Sequence, residues 1–529
     1  MIAVTLRDSF LRPAFCLPRC RIFSHSRRSF SSSNSTLHPT ASISSPTSSV
    51  LGSLTGELDR LAPRFEIQAN KIRIMKTPSE FYAVLKDRIL KAERRIFLST
   101  LYIGKTEHEL IDILRKALSR QPKLKVSILS DALRGTRETP NPSCASLLAP
   151  LLSEFGASRV EIRMYHTPNL RGLRKKIVPK RLNEGWGLQH MKLYGIDDEI
   201  VMSGANLSTD YFTNRQDRYH LFTCPNLTDH FARIHHAVSS ISYNVLPGPK
   251  EQGGYTLEWP ESNPAPMPTK EPREFQIAAT SILAPLIGPE LTPIKSPSSA
   301  SKTVVYPLAQ FTPLLYPQDT STEHPALSSV LRLLSRDSFA NSRWVFTAGY
   351  FNIHAQLKKL LLASKSVEGI VVTAAPEANG FYGSKGVSGM LPAAYTLMAR
   401  QFLDDIMKVG KGDSILLKEW RRGTIGKEPG AWTYHAKGVW VSLPNEEDPS
   451  ITLIGSSNYT KRSYSLDLET DVLVVTEDVG LKKALGEEVA WLQDNARTLT
   501  MQDFERPERR VSLKVKLALW IVKAIGGQL

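Results

Sequence analysis

Between Thr77 and Thr167 the period of the apolar positions changes repeatedly. From Pro78 to about Arg94 they recur every three to four residues. Thr77 caps this predicted helix, Pro78 suits its first turn and Glu80 closes a capping box. Alternation then takes over in Arg95-Ile96-Phe97-Leu98-Ser99-Thr100-Leu101-Tyr102, a strand. A helix (about 107–119), a strand (Leu124 to Asp131), a helix (about 145–155) and a strand (Val160 to Thr167) follow. Alternating strands and helices predict a mixed sheet with helices on both faces, an α/β fold. Order is expected from about residue 65.

From Pro247 to Pro272 there are seven prolines in 26 residues, the composition of a linker or an extended surface crossing. Beyond it the pattern restarts. Arg343-Trp344-Val345-Phe346-Thr347-Ala348-Gly349-Tyr350 echoes the strand ending at Tyr102, and Gly369 to Ala374 echoes the strand 124–131. The chain therefore reads as a duplication of one α/β unit. The first half covers 65–246, a linker 247–273, the second half 274–500 and a basic tail 501–529.

Composition adds a leader and a charge. The chain has 529 residues, 41% hydrophobic and 22% charged, which excludes wholesale disorder and rod-like folds and is long enough for two large domains. Residues 1–50 open with six arginines and one acid, Asp8, in the first forty positions, and twelve serines lie between Ser24 and Val50. That is the composition of a mitochondrial transit peptide. The whole chain carries +16. Without the leader it is still basic and expects anionic company: nucleic acid, anionic lipid or phosphorylated substrates. Four cysteines (Cys16, Cys20, Cys144, Cys224) make no disulfide framework. No run of eighteen apolar residues occurs.

The chemistry lies in a second echo. His190-Met191-Lys192 and His435-Ala436-Lys437 stand 245 residues apart, each at the start of a short β run, so that His and Lys share a face. Each is followed by a small-residue turn with Asn: Ser203-Gly204-Ala205-Asn206 and Gly455-Ser456-Ser457-Asn458. Eleven residues beyond each Asn stands a carboxylate, Asp217 and Glu469. One neutral imidazole can attack phosphorus while a second, protonated, serves the leaving oxygen. Lys192, Lys437, Asn206, Asn458 and the turn containing Ser456 can hold non-bridging oxygens, and a carboxylate behind each His fixes its tautomer. With lysines supplying the charge, no metal and no cofactor is required.

These paired motifs resemble those of the phospholipase D superfamily. The first motif is completed by Asp197, grouped here with the catalytic residues, and the second has Ser442 in its place. In that superfamily this Asp is structural, so the resemblance implies that activity survives. Within the superfamily the phosphatidylglycerophosphate synthase family is the most similar, through Tyr165-His166-Thr167-Pro168-Asn169-Leu170-Arg171-Gly172-Leu173, Tyr211-Phe212-Thr213-Asn214-Arg215-Gln216-Asp217-Arg218-Tyr219 and Ala378-Asn379-Gly380-Phe381-Tyr382-Gly383-Ser384-Lys385-Gly386. The resemblance implies two α/β/α units packed as a bilobal pseudo-dimer with one active site between them. It implies attack of His190 on CDP-diacylglycerol, release of CMP, and transfer to glycerol 3-phosphate with His435 as acid and base. It also implies a peripheral place on the matrix face of the mitochondrial inner membrane.

Other features keep two readings. Arg171, Arg174, Lys175 and Lys176 lead into the first motif and either grip phosphate or anionic lipid or form a solvated turn. Lys385 with its glycines either cradles a pyrophosphate or belongs to an ordinary loop. The stretch 511–525 is either an amphipathic helix on a membrane surface or a last helix on the core. His230, His235 and His236 read as a wet helix face rather than a metal site. Rival functions are a nuclease or other phosphodiesterase, or a transferase using serine or phosphatidylglycerol. Nucleic acid is not expected, because no nucleic-acid module accompanies the charge.

Overall fold

The computed structural model describes residues 46–178, 182–289 and 302–517. Thr77 caps the helix Pro78–Lys91 by accepting from the Glu80 N–H, and the strands Arg95–Ser99, Lys125–Asp131 and Val160–Tyr165 follow with the helices His108–Arg120 and Cys144–Phe155 between them. These three strands are parallel, as right-handed helical crossovers require.

The duplication is visible strand by strand. Across the first nine-stranded sheet run Ile72–Met75, Tyr219–Thr223, Glu199–Ser203, Leu193–Ile196, Arg95–Ser99, Lys125–Asp131 and Val160–Tyr165. Across the second run Thr303–Gln310, Glu469–Thr476, Ile451–Gly455, Lys437–Ser442, Arg343–Ala348, Glu368–Ala374 and Ile415–Trp420, in the same order. One core lies between the two sheets and takes in the helices Pro225–Ser240, Pro272–Ile287 and Val479–Gln493. Each sheet has a further core on its far face.

Three sequence expectations change. The helix Pro46–Leu58 starts inside the expected leader and buries Leu51, Leu54 and Leu58 in the outer core of the second half. Phe65 and Glu66 pair with Val305 and Val304, so the chain joins the second sheet before it builds the first. The proline-rich stretch is not a free linker. Tyr255–Glu258 pairs with Tyr243–Pro247 as the edge of the first sheet, a place where proline is tolerated. Residues 1–45 of the expected transit peptide and 518–529 of the expected tail helix lie outside the described residues.

The histidine helix also departs from expectation. His230 and His235 are buried, and only His236 is exposed. His235 is satisfied from both sides, with Nδ1 2.8 Å from Ser99 Oγ and Nε2 2.8 Å from Ser127 Oγ. It is a hydrogen-bonded core residue.

Candidate active site

The two halves meet where the parallel strands end at their carboxyl side, the usual ligand end of such sheets. Two short parallel contacts join them there. Arg215 and Gln216 pair with Thr433 and Tyr434, and Gln189 bridges to Leu468. The His435 N–H donates to Gln216 O at 2.8 Å, and the His190 N–H donates to Leu468 O at 2.9 Å. Each acceptor immediately precedes an orienting carboxylate, so every imidazole is delivered to the carboxylate of the opposite half. His190 Nδ1 lies 2.9 Å from both oxygens of Glu469, and His435 Nδ1 lies 2.6 Å from Asp217 Oδ2. An ionised carboxylate on Nδ1–H leaves the Nε2 lone pair free for chemistry.

Both lysines are buried between the histidines. Lys192 Nζ donates to His190 O at 2.6 Å, and Lys437 Nζ donates to His435 O at 3.0 Å and stands 3.7 Å from Asp217. Burial pushes Lys192 down to about 7 against the pull of Glu469, and pushes Lys437 down as well. Burial, helped by Lys192, holds His190 well below its ordinary value; burial, helped by Lys437, brings His435 to about 3. Both imidazoles of the free protein are therefore neutral. Burial, reinforced by the two lysines, works against the protonated second imidazole expected from sequence. The carboxylates differ. Burial raises Glu469 to about 7, whereas Lys437 and His435 overcome burial and keep Asp217 below its ordinary value.

The remaining expected residues divide. The Asn206 amide donates to Tyr211 OH at 3.2 Å, and that hydroxyl lies 3.4 Å from His435 Nε2. The amide oxygens of Asn206 and Asn458 are buried without a partner among the described residues. Rotation of either amide presents its N–H₂ to a ligand oxygen. Ser456 is corrected from the phosphate-positioning set: its hydroxyl donates to Glu469 Oε2 at 2.5 Å and so orients the carboxylate behind His190. Asp197 is corrected from the catalytic set. Its carboxylate accepts the backbone N–H groups of Glu93, Arg94 and Arg95, clamping the turn after Leu193–Ile196 to the start of the neighbouring strand. In the second half that turn is longer, and Asn445 makes the equivalent clamp by donating its N–H to Asn341 O. Ser442 still pairs with Arg343 at the start of the neighbouring strand, but its short Oγ donates to Glu447 O at 2.8 Å instead of accepting from that strand.

Arg171, Lys175 and Lys176 are exposed on or beside the helix Gly172–Ile177, which also contains Arg174; Lys385 is exposed too. The glycine loop nevertheless reaches the site through another residue. A Cβ on Gly380 would lie 2.8 Å from Tyr350 OH and 2.9 Å from Arg215 Nη2, so only glycine admits this approach. Tyr211 and Tyr350 edge the His435 ring at 5.2 and 5.1 Å, and Tyr395 stacks on Tyr350. Sequence reasoning gave no role to these three tyrosines, to Arg215 or to the ion pair Arg462–Asp467, since none repeats between the halves as His and Lys do. The larger clefts, of about 520 and 560 Å³, include none of the site residues, and the first lies at the opposite ends of the strands.

The lysine shift has a measurable sign. Lys192 is cationic below about 7 in the free protein and loses its charge above it. A bound phosphodiester raises that value. For an anionic substrate, kcat/KM is expected to fall by about tenfold per unit as pH rises above 7, while kcat persists to higher pH. Lys192→Arg removes this alkaline limb. A kcat/KM that stays level from about pH 6 to 9 contradicts the assignment.

Comparison with known proteins adds the following. A family model described as "Cardiolipin synthase, PLD-like domain" matches residues 85–237. A protein of Saccharomyces pastorianus named CDP-diacylglycerol–glycerol-3-phosphate 3-phosphatidyltransferase is 47% identical, over 90% of this chain and 92% of its own. The human protein of the same name, marked mitochondrial, is 34% identical over 88% of this chain and 84% of its own. The crystal structure of phosphatidylserine synthase from Haemophilus influenzae matches with a TM-score of 0.67 at 19% identity, covering 90% of this chain and 97% of that one, a likeness of fold.

Proposed function

The chain belongs to the CDP-diacylglycerol–glycerol-3-phosphate 3-phosphatidyltransferase family, and from that premise we propose how its site carries out the transfer the name describes. The protein makes phosphatidylglycerophosphate and CMP, the committed step towards phosphatidylglycerol and cardiolipin. His190 Nε2 attacks the β-phosphorus of CDP-diacylglycerol. The bond from phosphorus to the bridging oxygen breaks, and CMP leaves with both electrons of that bond. A phosphate leaves as a stable anion without first taking a proton, so a neutral His435 is no obstacle. Glu469 keeps the Nδ1 proton of His190 and offsets the charge of the phosphatidyl-histidine. The 1-hydroxyl of glycerol 3-phosphate then attacks while His435 Nε2 takes its proton, and the phosphorus–nitrogen bond to His190 breaks. Lys192, Lys437, Asn206 and Asn458 hold the non-bridging oxygens throughout. The observation that supports this course is the pair of imidazoles, each bonded through Nδ1 to a carboxylate of the other half and each with a buried lysine on its own carbonyl.

A membrane seat supplies the lipid. Leu173, Ile177 and Leu182 are 71%, 68% and 45% exposed, beside exposed Arg171, Lys175 and Lys176, just ahead of the first motif. Large apolar side chains interleaved with bases suit an anionic bilayer surface. No helix among the described residues is long and apolar enough to cross a membrane. The exposed apolar and basic side chains, with the mitochondrial name of the mammalian relatives, support peripheral binding at a mitochondrial membrane, and the matrix face of the inner membrane is the place we propose.

The test is CMP release by the full-length protein on vesicles containing CDP-diacylglycerol, with EDTA, with and without glycerol 3-phosphate. Acceptor-dependent turnover that survives EDTA is expected. In the same assay Leu173→Ser/Ile177→Ser should release little CMP from vesicles yet turn over normally in detergent micelles. Turnover with serine and none with glycerol 3-phosphate would sink the acceptor assignment.

A further inference from the structure

The duplication breaks its own symmetry in charge at one place beside the histidines. Seven and two residues before the first orienting carboxylate, Asp217, stand Asp210 and Arg215, whose Nη2 lies 3.1 Å from Asp210 Oδ2. Seven and two residues before the second, Glu469, stand Arg462 and Asp467, whose charges are exchanged, at 2.8 Å. The same ion pair is thus built twice with opposite polarity. Beside His190 the position two before the carboxylate holds the acid, Asp467, which is spent on the Leu188 N–H and on Arg462. Beside His435 the strand position holds the base, Arg215, and its acidic partner Asp210 is 61% exposed. One mouth of the site is therefore cationic at depth and the other is neutralised.

Building on the transferase reading above, we propose that Arg215 receives the non-reacting phosphate of the acceptor, glycerol 3-phosphate. Position and surroundings carry this. Arg215 Nε donates to Thr433 Oγ1 at 3.0 Å, and Thr433 lies two residues before His435, in the short strand Thr433–Tyr434. Two residues of extended chain span about 6.7 Å. The acceptor stretches roughly 6 Å from its 1-hydroxyl to its phosphorus, across five bonds of about 1.5 Å or less. A hydroxyl at His435 Nε2 thus places the phosphate at the guanidinium. The phosphate of departing CMP is bonded through oxygen to the attacked phosphorus and is too close to the imidazole to reach the same spot. The Arg215 guanidinium packs over the Tyr211 ring at 4.6 Å. The glycine loop comes close beside it: a Cβ at Gly380 would stand 2.9 Å from Arg215 Nη2 and 2.8 Å from Tyr350 OH. A cleft of about 250 Å³, lined by Tyr102, Lys105, Glu107, Arg134, Glu138 and Ser208 to Asp210, reaches Asp210, the ion-pair partner of Arg215. Asp210 holds the guanidinium until the phosphate displaces it, exchanging an exposed ion pair for a charge-assisted, bidentate one.

The test compares the two half-reactions. Exchange of labelled CMP into CDP-diacylglycerol needs no acceptor, and transfer does. In Arg215→Met the KM for glycerol 3-phosphate should rise at least about thirtyfold with exchange within about threefold of wild type, and the preference for glycerol 3-phosphate over glycerol should collapse. Arg215→Lys should recover part of the loss, because a point charge replaces the fork. Asp210→Asn, a change at an exposed residue, should lower the KM. An unchanged KM in Arg215→Met, exchange lost in step with transfer, or a KM in Asp210→Asn at or above wild type overturns the proposal. Wild-type transfer decides the function itself, independently of these variants.

Discussion

His435→Ala releases one equivalent of CMP from CDP-diacylglycerol and then stops, whereas His190→Ala releases none. Both lose steady-state transfer by at least about 10⁴-fold. The difference between them follows from what each step requires. Burial keeps His190 neutral, so its Nε2 is a nucleophile at neutral pH without help from a base. The first leaving group is a phosphate, which needs no proton, so His435 is idle until the acceptor arrives. The second step must take a proton from an alcohol, and His435, neutral at about 3 and backed by an ionised Asp217, is the base for it. Rapid-quench measurement of CMP, with trapping of the phosphatidyl-enzyme, separates the variants. A burst from His190→Ala and none from His435→Ala would reverse the two roles. No burst from either would mean that the two imidazoles act in one concerted displacement.

The crossed pairing behind this prediction could not be read from the chain. The spacing of His, Lys, Asn and carboxylate in each half exposed the duplication, because a repeated unit repeats its local pattern; the shared order of seven strands is seen only in the structure. Which carboxylate serves which histidine depends on two contacts, Gln216 with Tyr434 and Gln189 with Leu468, that are one or two residues long and have no periodicity. Local pattern also misplaced His235, whose partners Ser99 and Ser127 come from two other strands. It left Tyr255–Glu258 open between a linker and an extended crossing, because proline density signals a linker and an edge strand alike. Asp197 was grouped with the catalytic residues although the resemblance marked it as structural, and Ser456 was read as phosphate-positioning because it sits inside a motif. The structure uses both to position other groups, one a strand start and the other Glu469. Arg215 stood in plain view two residues before Asp217. Only the opposite polarity at Asp467, two residues before Glu469, gives that position meaning, and the comparison needs the two halves superposed.

A site assembled from crossed pairs depends on how firmly the halves are registered, so the largest loss of stability is expected away from the histidines. Arg218, next to Asp217, crosses into the second half with its side chain fully buried. Its Nε and Nη2 donate to the two oxygens of Glu488 at 3.0 and 2.8 Å, and Nη1 donates to Leu453 O at 2.6 Å. The guanidinium stacks on Trp440 at 3.8 Å, and the Trp440 and His220 rings bond the same carboxylate. Gly438 leaves the space: a Cβ there would stand 2.0 Å from Arg218 Nη1. Although burial opposes it, Arg218 and then His220 hold Glu488 far below its ordinary value. That depressed value contributes stability above the ordinary carboxylate range, and the contribution is lost as pH falls towards the folded-state value. Glu488→Gln leaves Arg218 charged, buried and unpaired, and should cost about 3–5 kcal/mol in urea denaturation at neutral pH. Arg218→Met/Glu488→Met removes both charges together and should regain most of that stability. It should not regain full turnover, because Asp217 loses the neighbour that fixes its backbone under His435. A single variant within about 1 kcal/mol of wild type would show that the pair is no more than a surface-strength contact. The halves would then be registered by the apolar core between the sheets alone.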